Sequence, residues 1–369
     1  MLLLLALVGC DGDKGITVDT KFHNQPFSAV VDSELAAYFV TSYLHNQKND
    51  SRFDEKIAAL CPVGSSINAL ELEQITLKSS HDFASLCLAN ALLSTSRNQR
   101  ADTYFTTWLK KIAKARDGTS IESELPRDLN ILFVPGWLYL SDTTTGADFK
   151  KQRDLLSSHG ISNRLIPTDE NGSIEDNAKI IASHIKDSEN ASGPTILVSA
   201  SKGGAETALA LHLVRDNSLS KRNLAWINVG GVLRGTVLAD KAATWPWSWF
   251  AKLFVLNGRS ASGIQGLQTD ESIKRSTEIG SLKDLIVLNY VGIPMQAQVA
   301  DRAKVGFSLM KEHGPNDGLT YIVDAIQPAQ YGHTIVGLGL DHYFAHQDID
   351  EITLALAYTV VELWATKGL

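Results

Sequence analysis

The stretch Thr195-Ile196-Leu197-Val198-Ser199-Ala200-Ser201-Lys202-Gly203-Gly204-Ala205 constrains this chain more than any other. A short apolar run, entered through Gly193-Pro194, reads as a buried strand. It meets a turn of small residues and then a helical run from Lys202 to Val214. A strand delivered straight into a helix belongs to a parallel sheet covered on both faces. A side chain held in so tight a turn is strained, so its neighbours must be small. The helix that follows points its positive end back at that turn.

Other segments repeat the alternation. Asn130 to Val134 predicts a strand ended by Pro135-Gly136, and Ile161 to Ile166 a second, backed by a helix over Ile174 to Ile185. Leu224 to Val229, Leu285 to Tyr290 and Leu319 to Val323 predict three more strands. A closing helix over Ile349 to Trp364 carries Ile352/Leu356 and Val360/Trp364 at i,i+4. The fold class is therefore α/β, with a mostly parallel sheet over residues 126–369. Residues 31–125 differ: Leu35, Phe39, Val40, Tyr43 and Leu44, then Phe83, Leu86 and Cys87, then Tyr104, Trp108, Leu109 and Ile112 recur at helical spacing. They predict a helical subdomain, serving as a cap, a spacer or an extra layer. Residues 11–30 read as a polar tether.

The chain has 369 residues, 44% of them apolar and 20% charged, which excludes disorder and a short disulfide scaffold. Its net charge of −7, with no basic run, argues against nucleic acid as a partner. At the N-terminus Leu2 to Val8 is too short to span a membrane, which takes about 20 apolar residues. With Leu7-Val8-Gly9-Cys10 it resembles the signal peptide and lipobox of bacterial lipoproteins, although no Lys or Arg precedes it. That resemblance implies a lipoprotein signal peptide with its lipobox over residues 1–10, lipidation of Cys10 and a membrane-anchored protein facing the periplasm, with Asp11 favouring the inner membrane. In an oxidising envelope Cys61 and Cys87 could pair, or could be two buried thiols.

Ser199-Ala200-Ser201-Lys202-Gly203 resembles the nucleophile elbow G-x-S-x-G of the α/β-hydrolases, among them lipases and serine esterases, with Ser199 replacing the first glycine. The resemblance covers residues 126–369, about two thirds of the chain. It implies the α/β-hydrolase fold and a serine hydrolase of ester substrates, lipid-like ones included, with no cofactor. Ser201 would be the nucleophile. Pro135-Gly136-Trp137, where that family often has His-Gly-x, would supply the Trp137 N–H to an oxyanion hole, and Lys202 the second N–H. The family's chain order of Ser, acid, His points to Asp317 in Asn316-Asp317-Gly318-Leu319 and to His342 in Asp341-His342-Tyr343. Asp324 and Asp341 are alternative acids; His313, His333 and His346 are alternative bases.

Rival motifs are thinner. Ser199-Ala200-Ser201-Lys202 matches S-x-x-K but lacks S-D-N and K-T-G companions. No phosphate loop, dinucleotide motif or metal-ligand spacing is present, and His342/His346 lack a third ligand. Residues 231–282 form a lid-like insertion carrying Trp245-Pro246-Trp247-Ser248-Trp249-Phe250, either an apolar docking element or a self-packed excursion. An acyltransferase or amidase would use the same three residues, and a membrane-tethered binding protein would keep the fold without the chemistry.

Overall fold

The structure is a computed structural model. It describes residues 15–23, 25–61, 68–115, 125–188, 193–215, 224–244, 262–280, 282, 285–326, 332–344 and 349–367. The expected signal peptide with Cys10, the tryptophan cluster Trp245–Phe250 and His346 lie outside the described residues.

The chain opens with a hairpin of β1 (Ile16–Phe22) and β2 (Gln25–Val31). Helices follow: α1 (Glu34–Thr41), α2 (Ser51–Leu60), α3 (Ala69–Lys78), α4 (His81–Leu93) and α5 (Ser96–Ala115). The α/β part is β3 (Asn130–Val134), α6 (Lys150–Ser158), β4 (Ser162–Leu165), α7 (Ile174–Asp187), β5 (Thr195–Ala200), α8 (Lys202–Leu213), β6 (Leu224–Val229) and α9 (Val237–Ala243). It continues with α10 (Thr269–Ile279), β7 (Ile286–Ile293), α11 (Asp301–Met310), β8 (His333–Leu338) and α12 (Ile349–Lys367).

β3 to β8 form one six-stranded, all-parallel sheet in the order β4-β3-β5-β6-β7-β8. The period-2 alternation of its strands builds two cores. Ile131, Phe133, Ile196, Val198, Ile227 and Leu288 face α5 and α12, where Trp108 stacks on Tyr358 at 3.9 Å between centroids. Leu132, Val134, Leu197, Trp226 and Val287 face α7 and α8. Strand order reverses between β3 and β5, because the chain winds outward to β4 and then returns. In open parallel sheets ligands bind at such a reversal, beyond the carboxyl ends of the strands.

The predicted strand over Leu319–Val323 is corrected. Gly318 sits at φ +97°, and the Asp317 carboxylate captures the Leu319 and Thr320 N–H groups that a ladder would need. The sixth strand is instead β8, paired with β7 from Leu288/His333 to Ile293/Leu338. The tether reading of residues 11–30 is corrected for the described part, from residue 15 onward except 24. Val18 and Phe22 of β1, with Phe27, Ala29 and Val31 of β2, are buried against α1 and α4. That core runs on into Val291, Ile293, Ile322 and Ala325, so the N-terminal layer packs against the β7–β8 end of the sheet. Cys61, closing α2, is joined to Cys87 of α4 by a disulfide, with Cα atoms 5.6 Å apart.

Candidate active site

Ser201 lies between the last residue of β5 and the first of α8, at φ +52° and ψ −124°. A non-glycine residue there is strained and persists only where its surroundings fix it. Its N–H donates to Val229 O at 3.3 Å, and its carbonyl accepts from Gly204 and Val232 N–H, both at 3.0 Å. The turn is also packed tightly: a Cβ on Gly203 would come within 2.4 Å of Pro135 O. That contact sets the elbow directly against the segment leaving β3, whose next residues are Gly136 and Trp137. Where the motif usually has its first glycine, the buried Ser199 hydroxyl accepts from Trp226 Nε1 at 2.8 Å.

His342 stands in the loop after β8, half a sheet away in sequence and adjacent in space. Its Nε2 is 3.0 Å from Ser201 Oγ. Its Nδ1 is 2.8 Å from Asp317 Oδ2, and its backbone N–H donates to Asp317 O at 2.9 Å. The other Asp317 oxygen accepts from Leu319 N–H at 2.9 Å and Thr320 N–H at 2.8 Å. With the carboxylate accepting at Nδ1, the neutral ring carries its proton there and offers Nε2 to the serine hydroxyl. Burial works against charge on His342, but the Asp317 carboxylate, and more weakly Asp341, outweigh it and hold the ring above its ordinary pKa of 6.5.

Of the alternatives raised by sequence, Asp341, His313 and His333 make other contacts. Asp341 accepts from Ala300 N–H at 2.7 Å, ahead of α11, and from Tyr343 N–H at 3.0 Å. Asp324 is pushed up to about 6 by burial, with Arg234 pulling the other way. His313 meets Glu73 at 2.7 Å, and His333 Nδ1 lies 3.2 Å from Arg97 O. Among the described residues no group of three or more His, Cys, Asp or Glu side chains could hold a metal ion.

One feature escaped the sequence reading. The Lys202 side chain turns inward, 2.5 Å from Glu206 Oε1, with both side chains almost fully buried. The signal was present as opposite charges four apart on an otherwise small and apolar helix.

The mature lipase BlEst2 of Bacillus licheniformis matches this architecture with a TM-score of 0.50 at 19% identity, over 68% of this chain and 95% of that one. The metagenomic carboxyl esterase MGS0156 matches with a TM-score of 0.51 at 16% identity, over 68% and 82%. The fold is that of the α/β-hydrolases. The Ser201 turn follows the end of β5, and Trp137 lies three residues beyond the end of the neighbouring strand β3. No protein-family model matches the chain, and no curated protein matches it in sequence.

Proposed function

We propose that the chain is a serine hydrolase of carboxylic esters. The observation that carries this is the run of hydrogen bonds from Asp317 through His342 to Ser201, ending on a serine held in a strained turn at a helix N-terminus. That two proteins of like fold are a lipase and a carboxyl esterase supports the choice of ester.

The chemistry follows from the arrangement. Ser201 Oγ attacks the carbonyl carbon while His342 Nε2 takes the hydroxyl proton. Asp317 stays ionised, keeps the ring oriented and stabilises the imidazolium. The carbonyl oxygen becomes an oxyanion, received by the N–H groups of Trp137 and Lys202 and by the positive end of α8. When the intermediate collapses, the C–O bond to the leaving group breaks and His342 returns the proton to it, releasing an alcohol. Water then repeats the sequence on the acyl-serine, and the carboxylic acid leaves.

The test is hydrolysis of p-nitrophenyl esters of graded chain length. Ser201→Ala and His342→Ala should each lower kcat by about 10⁴-fold or more, and Asp317→Asn by about 10⁴-fold. Variants that fold and keep wild-type turnover would refute the assignment.

A further inference from the structure

Glu206 Oε1 has two partners. It accepts from Lys202 Nζ and, at 2.7 Å, from Asn177 Nδ2 on α7. Asn177 in turn clasps the backbone of one residue: its Nδ2 donates to Asp169 O at 2.7 Å and its Oδ1 accepts from Asp169 N–H at 3.0 Å. Asp169 lies in the segment joining β4 to α7. On either side of it are the two residues that hold the turn after β3. Thr168 O accepts from the Tyr139 hydroxyl at 2.8 Å, and Glu170 Oε2 accepts from Leu140 N–H at 2.9 Å and Ser141 N–H at 3.0 Å. Lys202, Glu206, Asn177, Thr168 and Tyr139 are all buried.

A continuous line of bonds thus leads from the residue after the serine to the residue two past Trp137. One end, Lys202, carries an N–H group assigned to the oxyanion; the other end, Tyr139, lies two residues beyond the Trp137 N–H. A buried ion pair is a poor means of stabilising a core, since apolar residues of similar volume commonly do as well or better. It does hold polar atoms at fixed positions.

We propose that Lys202, Glu206, Asn177 and Tyr139 are positioning residues that act as a strut, through the backbone of Thr168 and Asp169, fixing the Lys202 and Trp137 N–H groups relative to each other. The proposal rests on the ester-hydrolase reading above. An oxyanion hole is complementary to the tetrahedral intermediate rather than to the substrate carbonyl. A loosened strut should therefore lower kcat and leave KM in place.

Two variants cut the strut at different points. Tyr139→Phe removes a single hydroxyl. Lys202→Met combined with Glu206→Gln removes the ion pair without leaving one charge buried alone. Each is compared with wild type for kcat and KM on p-nitrophenyl butyrate, for affinity toward a trifluoromethyl ketone that forms a tetrahedral adduct with serine, and for melting temperature. The expected loss in kcat is about tenfold for Tyr139→Phe and about a hundredfold for the double variant. KM should stay within about twofold, and ketone affinity should fall in step with kcat/KM. The triple variant should lose little more than the double, because both changes break one line. If the double variant does not fold, Tyr139→Phe alone decides. Folded variants with unchanged kcat and ketone affinity, or with a raised KM alone, would overturn the strut. Wild-type hydrolysis that survives Ser201→Ala would overturn the underlying reading instead.

Discussion

At the scale of the residue, the decisive choice is which carboxylate serves His342. Asp317, Asp324 and Asp341 are all close in sequence, and spacing does not separate them. What separates them is the destination of backbone N–H groups, which only the folded chain reveals. Asp341 is occupied by Ala300 and Tyr343, whereas Asp317 keeps one oxygen for the ring. The turn at Ser201 was legible because its neighbours had to be small; the Lys202–Glu206 contact was overlooked because a charged pair on a helix ordinarily reads as solvated. The ion-pair attraction of Asp317 sets the sign of the pH response. A raised imidazole pKa keeps His342 protonated, and inactive as a base, to higher pH than usual. The acid limb of kcat/KM should therefore fall above pH 6.5, the ordinary value, and Asp317→Asn should move the limb of the residual activity downward. By the same linkage, the protonated pair adds stability that is full below about pH 6.5 and is lost as pH rises through the folded value. Activity profiles from about pH 5 to 9 check this, and a wild-type limb below the ordinary value would contradict it.

At the scale of the element, alternation and turn chemistry placed most of the sheet. β3 and β6 match their predicted spans, and β5 and β7 run a few residues further at their carboxyl ends. The failures share a cause. Leu319 to Val323 has strand composition, but Asp317 takes its N–H groups locally, a competition that propensity does not register. The hairpin's signal was two alternating runs about His23, at φ +46°, and it was masked by the polar residues on their exposed face. The close approach of α8 to the end of β3 yields a prediction at this scale. Gly203→Ala places a methyl where Pro135 O stands, so α8 or the strand end must shift. The cost should be about 1–3 kcal/mol in denaturant unfolding, accompanied by a fall in kcat because the moved segments carry Ser201 and Trp137. A variant as stable and as active as wild type would show that the approach is slack.

At the scale of the whole molecule, the N-terminal layer is neither a separate cap nor a tether. Its core continues through Ile322 and Ala325, which follow the Asp317 loop directly, and Asp82 of α4 accepts from Gln296 N–H at 2.8 Å just past β7. The layer thus buttresses the side of the sheet from which the acid and the histidine come. Its disulfide closes a separation of 26 residues. Replacing both cysteines with serine should cost about 3 kcal/mol, seen as a lower melting temperature, with the loss of activity on heating coinciding with that transition. An unchanged melting temperature, or activity that outlasts the layer's unfolding, would separate the layer from the site. Sequence left a cap, a spacer and an extra layer equally open, because helical periodicity shows which face is apolar and not what covers it.

The central claim is that Ser201 is an activated nucleophile, and the most direct measurement is labelling of the purified protein with a fluorophosphonate, with the modified residue located by mass spectrometry. The expected result is one adduct, on Ser201, absent from Ser201→Ala and strongly slowed in His342→Ala. Labelling of another residue, or of folded Ser201→Ala at the wild-type rate, would contradict it.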